Sequence, residues 1–172
     1  VIIFFAYVYI KEEILKDYYK NGKLKSELKI KNLNLEGEFK EYYENGSLKS
    51  VASLKMLKRN GVAKDYYEGG DLKENAFFID NKLEGIVNQY YENKNLKTEE
   101  FYKNDLKEGV SKRFYENGKL KRIESYKNGK IDGFSKSYYE DEILESEGFF
   151  KNGIAEGAFK TYYYDGKLKS EF

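Results

Sequence analysis

The chain has 172 residues, of which 31 are basic and 30 are acidic, and its formal net charge is +1. This balance argues against a nucleic-acid-binding protein, which normally carries a basic patch or stripe. Cysteine and histidine are both absent, which excludes disulfides, thiol catalysis and a histidine-activated nucleophile, so the sequence predicts no enzyme activity, no cofactor and no metal site.

Residues 1–12 form an apolar N-terminal segment that differs from the rest of the chain. Its first ten residues, VIIFFAYVYI, are too few to span a bilayer, which takes about 20 apolar residues in a helix. Two interpretations stay open: the end of a signal-peptide apolar region, or a capping strand of atypical sequence. The first favours a secreted or cell-surface protein and the second a cytoplasmic one.

Residues 13–172 repeat one pattern of 24 residues seven times. An aromatic pair marks each unit: Tyr18-Tyr19, Tyr42-Tyr43, Tyr66-Tyr67, Tyr90-Tyr91, Phe114-Tyr115, Tyr138-Tyr139 and Tyr162-Tyr163. A period between 20 and 50 residues is typical of stacked repeat arrays. The sequence therefore predicts a single repeat domain over 13–172.

Each unit predicts two strands joined by a turn. Asn-Gly follows three of the seven aromatic pairs, as in Asn45-Gly46, and indicates a two-residue type I′ hairpin turn in which both residues have positive φ. A leucine follows each turn and a glycine lies five residues before most pairs. No apolar period of 3.6 residues is present over a useful length, so helices are not expected.

The turn also predicts which side chains share a face of the sheet. With a two-residue loop, Tyr43 lies opposite Leu48 and Gly37 lies opposite Leu54. Later units place a glycine opposite a ring, which suggests that the glycine leaves room for that ring. We therefore expect an apolar, structural face that carries the following residues: Tyr43, Tyr67, Tyr91, Tyr115, Tyr139, Leu48, Leu72, Leu96, Leu120, Leu144, Gly37, Gly61, Gly85, Gly109, Gly133 and Gly157.

The other face carries the first aromatic residue of each pair and is expected to be wetter. Cross-strand ion pairs such as Lys136 with Glu147 fall on it, together with the apolar clusters Val62/Phe77, Ile86/Phe101 and Phe134/Phe149. Because tyrosine is enriched at interfaces, the candidate partner-binding residues are Tyr42, Tyr66, Tyr90, Phe114, Tyr138 and Tyr162. A three-residue loop with a bulge would shift one strand by one residue and exchange its faces.

The units resemble the bacterial variant of the MORN repeat. Residues 109–132, GVSKRFYENGKLKRIESYKNGKID, match that variant almost position by position, and the resemblance extends over 13–172. It implies an all-β fold, an elongated single-layer antiparallel sheet of tandem hairpins. In function it implies a scaffold that holds protein partners. Lipid binding is proposed for some relatives, and many bacterial sequences of this variant are labelled antitoxins of toxin–antitoxin systems.

The leading hypothesis is a non-enzymatic interaction protein that binds a protein partner through one aromatic-rich face. One alternative is a secreted or cell-surface adhesin that binds a glycan or a membrane surface. Another is an antitoxin that neutralises a protein toxin, which depends on family analogy alone. Unpaired edge strands and the apolar N-terminal segment also leave self-association open.

Overall fold

The computed structural model describes residues 12–31 and 35–172, so residues 1–11, for which a signal remnant or capping strand is expected, lie outside the described residues. The described chain forms one antiparallel sheet of 17 strands. Each unit contributes a hairpin that pairs with the hairpin of the next unit, for example β3 with β4 and β4 with β5. The predicted all-β fold, a single open layer of seven repeats, is confirmed.

The strands follow the chain in order. Their bounds are β1 Glu13–Tyr18, β2 Leu24–Ile30, β3 Gly37–Tyr42, β4 Leu48–Lys55, β5 Lys58–Tyr66, β6 Leu72–Ile79, β7 Lys82–Leu83, β8 Gly85–Tyr90, β9 Leu96–Lys103, β10 Leu106–Lys107, β11 Gly109–Phe114, β12 Leu120–Lys127, β13 Lys130–Tyr138, β14 Leu144–Lys151, β15 Ile154–Ala155, β16 Lys160–Tyr162 and β17 Leu168–Glu171.

The turn after each aromatic pair is not of type I′. The Gly46 N–H donates to the Tyr43 carbonyl (2.9 Å) and the Tyr43 N–H donates to the Ser47 carbonyl (2.9 Å). Only the last loop residue has positive φ: 97° at Gly46, and 71° at Lys94 in the equivalent position. This is a three-residue loop that ends in a left-handed residue. The type I′ prediction is wrong here because Asn-Gly is compatible with both loops.

The longer loop changes the register only beside the turn. Leu48 lies across from Tyr42, and a register shift between Glu41 and Tyr42 follows at once. Beyond that shift Gly37 lies across from Leu54, as predicted. The predicted pairing of Leu48 with Tyr43 is therefore wrong. A two-residue loop would also pair Tyr42 with Lys49, and that pairing does not form either. The extra loop residue is offset by the register shift next to it, so the predicted pairing of the rest of the two strands is correct.

Type I′ turns occur instead where one unit passes to the next. Both central residues have positive φ in Met56-Leu57 (50° and 58°) and in Asn128-Gly129 (49° and 77°), and the flanking residues pair directly. Asp80-Asn81, Asn104-Asp105 and Asn152-Gly153 have the same conformation. Every unit boundary from β4 onward is thus a tight two-residue hairpin.

Burial distinguishes the two faces of the sheet. We call the side that carries Gly37, Phe39, Ala52 and their equivalents in later units the glycine face, and the other side the opposite face. All nine buried residues among those described belong to the glycine face: Ala52, Ala76, Val87, Thr98, Glu100, Ser111, Glu124, Ser135 and Ser137. Six of them are polar or charged, so the expectation of an apolar face is wrong.

The repeated glycine is not explained by the ring across from it. Gly85 lies opposite Tyr102 and Gly109 opposite Tyr126, as predicted. A Cβ at Gly85 or Gly109 would meet no atom within 4 Å, but their φ angles are 83° and 72°. Glycine is favoured there because other residues rarely adopt this left-handed conformation. The predicted packing role is therefore wrong at these two positions.

Candidate interaction surfaces on the two faces

The second aromatic residue of each of the first six pairs links its unit to the next one. The Tyr91 hydroxyl donates to the Phe114 carbonyl at 2.8 Å. The same bond, to the first aromatic residue of the following unit, is made by Tyr19, Tyr43, Tyr67, Tyr115 and Tyr139 at 2.6–2.8 Å. We call these six bonds the hydroxyl ladder. They pair strand-end carbonyls of the next unit with a side-chain donor, which gives these tyrosines a definite structural contact.

The first aromatic residue of each pair lies on the opposite face. The register places Tyr90 across from Leu96 and Phe114 across from Leu120, so each ring and its leucine share that face. All six candidate partner-binding residues, Tyr42, Tyr66, Tyr90, Phe114, Tyr138 and Tyr162, are half-buried in this arrangement. The Tyr162 hydroxyl donates to Glu147 at 2.9 Å, and this bond raises the pKa of Tyr162.

Next to this aromatic row, the opposite face exposes several large apolar side chains. The predicted pairs Val62/Phe77, Ile86/Phe101 and Phe134/Phe149 are each directly across from one another. Phe77, Phe101 and Phe149 are 42%, 41% and 51% exposed. The predicted ion pair Lys136–Glu147 forms on the same face at 3.1 Å, and the equivalent pair Lys16–Glu27 forms there at 3.3 Å.

The glycine face contains a buried carboxylate at Glu100. Its oxygens accept hydrogen bonds from Lys107 Nζ (2.6 Å), Tyr102 Oη (2.8 Å) and, at longer range, Ser111 Oγ (3.4 Å). Burial raises the pKa of Glu100, but the bonds from Lys107 and Tyr102 outweigh it, so this pKa is lowered. Burial and the nearby carboxylate raise the pKa of Tyr102 well above its usual range.

Glu124 repeats this arrangement one unit later. It accepts from Tyr126 Oη at 3.0 Å and Ser135 Oγ at 3.4 Å, and Arg122 Nη1 lies 3.5 Å away. Burial, followed by the charge of Glu124, raises the pKa of Tyr126 to about 12. Sequence reasoning missed both carboxylates. The available signal was the spacing Glu-x-Tyr at residues 100–102 and 124–126, which puts both side chains on one face of a strand.

A groove of about 550 Å³ crosses the glycine face between the fourth and fifth units. It is lined by Gln89, Tyr91, Lys97, Thr98, Glu100, Arg113, Phe114, Lys121 and Arg122. Lys97 and Lys121 lie over the rings of Tyr91 and Tyr115, at 5.5 and 5.0 Å from the ring centroids. The groove is therefore bordered by cations and aromatic rings.

The described residues hold neither a cluster of metal ligands nor a helix that could span a membrane. Within residues 12–31 and 35–172, no three acidic side chains converge in a way that could hold a metal ion. Over the same ranges no helix has the length and apolar character needed to cross a membrane.

Comparison with known protein families gives one match. The sequence model described as MORN repeat variant matches seven successive segments of the chain: 14–32, 35–55, 59–80, 83–104, 107–128, 132–152 and 155–172. No curated protein matches the chain. The seven matched segments follow the seven units defined by the aromatic pairs.

Proposed function

Since the chain belongs to the family of MORN repeat variants, whose members form repeat scaffolds, we propose that it is a non-enzymatic scaffold that binds a protein partner through its opposite face. The interface would consist of the aromatic row from Tyr42 to Tyr162 together with the exposed apolar pairs beside it. The partner chemistry that fits is an apolar surface with a polar rim.

The observation that supports this proposal most directly is the exposure of Phe77, Phe101 and Phe149 on one face. Contiguous exposed apolar residues on a soluble protein mark an interaction surface or an aggregation liability. Here ion pairs such as Lys112–Glu99 (2.8 Å) border them, as polar rims border interfaces. The hydroxyl ladder uses the second aromatic residue of each pair, which leaves the first one available for binding.

The test compares partner capture by variants that differ in the face they change. Tagged wild-type chain, a Phe77→Thr/Phe101→Thr variant and an Asp65→Asn variant are each used to capture proteins from cells of the source organism. Asp65 is an exposed residue of the glycine face, so it controls for a general effect of surface substitution. Thermal unfolding of the purified variants confirms that each is folded.

We expect one stable protein to be recovered by the wild type and by Asp65→Asn, and to be lost with Phe77→Thr/Phe101→Thr. Equal recovery by all three variants would contradict the role of the opposite face. If no protein is recovered, but a glycan array or anionic vesicles bind the wild-type chain, the adhesin alternative replaces the proposal.

A further inference from the structure

The groove between the fourth and fifth units has an unbalanced positive charge. Four cationic side chains line it, Lys97, Arg113, Lys121 and Arg122, against one carboxylate, Glu100. That carboxylate is already bonded to Lys107 at 2.6 Å. A second groove on the sheet, of about 560 Å³, is lined by carboxylates and ammonium groups together. The excess of cations is therefore a property of this place and not of the sheet in general.

Two arginines face each other at the centre of the groove. Arg113 on β11 lies directly across from Arg122 on β12, and like charges in this position destabilise a sheet. No other unit places two cations there: the equivalent pairs are Asp17/Ser26, Glu41/Ser50, Asp65/Glu74, Gln89/Thr98, Ser137/Ser146 and Thr161/Ser170. In the last two, the hydroxyls bond to each other at 2.7 and 2.6 Å.

The arginines are incompletely paired. Arg122 has its Nη1 at 3.5 Å from Glu124, the long limit of a hydrogen bond. Among residues 12–31 and 35–172, the Arg113 guanidinium has no hydrogen bond or ion pair. Five N–H donors in a planar fork are thus exposed to the groove, a geometry that matches a carboxylate.

A buried hydroxyl beside them also lacks a partner. Thr98 on β9 lies across from Arg113, on the side of β11 away from Arg122, and the residue lines the groove. The residue is 8% exposed, and its Oγ1 atom is without a hydrogen-bond partner within the described residues. A buried hydroxyl of this kind costs stability until it is paired. It supplies a third donor next to the two guanidinium groups.

We propose that this groove binds a carboxylate side chain of an acidic peptide segment on a protein partner. The carboxylate accepts hydrogen bonds from Arg113, Arg122 and the Thr98 hydroxyl, and it relieves the repulsion between the two arginines. The volume of about 550 Å³ and the Tyr91 ring in the lining suit a stretch of peptide better than a bare ion. The site lies on the glycine face and does not depend on the surface proposed above.

The experiment titrates the full chain with fluorescently labelled hexaglutamate at low ionic strength and follows fluorescence anisotropy. We expect Arg113→Gln to weaken binding about tenfold or more, since hydrogen bonds to charged groups contribute about 1.5–3 kcal/mol each. The matched control is Lys112→Gln, which removes the same charge from the adjacent residue on the opposite face and should leave the affinity within about twofold, because an exposed charge contributes little.

Thr98→Val gives a readout that a purely structural role would not produce. Replacing an unpaired buried hydroxyl by a methyl group of similar shape should raise the unfolding temperature of the free chain. The same variant should weaken hexaglutamate binding, so stability and affinity move in opposite directions. Arg113→Lys keeps the charge, loses the planar fork and should bind with intermediate affinity.

Three results would overturn the proposal. Equal weakening by Lys112→Gln and Arg113→Gln would show that only net charge matters. Competition by inorganic phosphate at concentrations as low as those of the peptide would show that the groove takes a small free anion. Unchanged affinity in an Arg113→Gln/Arg122→Gln variant that remains folded would show that the peptide binds elsewhere.

Discussion

The two faces of the sheet alternate along the same strands, yet among the described residues only the glycine face contains buried side chains. On the glycine face Glu100 and Glu124 are 8% and 3% exposed, while on the opposite face Phe101 and Phe149 are 41% and 51% exposed. In a single layer no second sheet covers either side. Burial is then decided by long side chains that reach over from the same strand, as Tyr102 does over Glu100, and from the neighbouring strand, as Lys107 does, because their apolar parts cover the surface below them.

Removing a glutamate should lower the free energy of unfolding much more on the glycine face than on the opposite face. Glu100→Ala removes the partner of Lys107 inside the sheet and should lower the free energy of unfolding by about 3 kcal/mol, since breaking a buried pair leaves an uncompensated charge. Glu99→Ala, one residue away on the opposite face, removes an exposed pair with Lys112 and should cost less than about 1 kcal/mol. Urea unfolding of both variants measures the difference, and equal losses would break the distinction between the faces.

The glycine face should also make the protein sensitive to alkaline pH. The pKa of Tyr126 is about 12 against an ordinary value of 10.0. Because the folded-state pKa is raised, Tyr126 stabilises the folded chain while its hydroxyl is protonated. This contribution to the free energy of unfolding is fully present below pH 10 and is lost as pH rises towards about 12. After allowance for partial solvent exposure the loss is about 1–2 kcal/mol. Unfolding measured from pH 8 to pH 12 should show a shallower decline in Tyr126→Phe, and identical curves would contradict this.

The aromatic pair offers a comparison within two adjacent residues. Tyr91→Phe removes a rung of the hydroxyl ladder, so the Phe114 carbonyl loses its 2.8 Å bond and stability should fall by about 1 kcal/mol. Tyr90→Phe should be close to neutral, because the equivalent residue of the next unit is already Phe114. Thermal unfolding of the two variants tests this, and a larger loss for Tyr90→Phe would reverse the roles of the two tyrosines.

The smallest effect on stability is expected on the opposite face. Phe101→Thr introduces another residue that favours strands and removes a ring that is already 41% exposed. The free energy of unfolding of the chain without a partner should therefore change by about 0.5 kcal/mol or less. Its effect should appear in partner capture instead. A loss above 2 kcal/mol in chemical unfolding would show that the ring stabilises the sheet itself.

The sequence predicted the fold because the information was local. The 24-residue period, the alternation along strands and the turn residues together fixed seven hairpins, and most strand pairings, such as Gly133 with Phe150, followed from them. The loop itself was predicted wrongly because Asn-Gly suits two loop types. Lys94 and Glu142, which take the left-handed position in two units, are the sequence signal that only one loop residue needs positive φ.

The functional surfaces were predicted less well. The aromatic row from Tyr42 to Tyr162 was placed on one face correctly, but the leucines were assigned to the wrong side because one bulge shifts them. The groove was not predicted at all. Arg113 and Arg122 are nine residues apart and look like ordinary exposed charges in the sequence. Only their cross-strand pairing, with Thr98 on the next strand, shows that three donors converge.

The sequence alone therefore determined the repeat, the strand order and the family, since each depends on residues within one or two units of one another. The tertiary structure decided which face is buried, why its carboxylates are stable there, and where unpaired donors meet. The physical reason is that these properties depend on side chains from adjacent units that cover or satisfy one another, as Ser111 and Lys107 do at Glu100. Such contacts follow from the exact register and bulge positions, which a periodic sequence specifies only approximately.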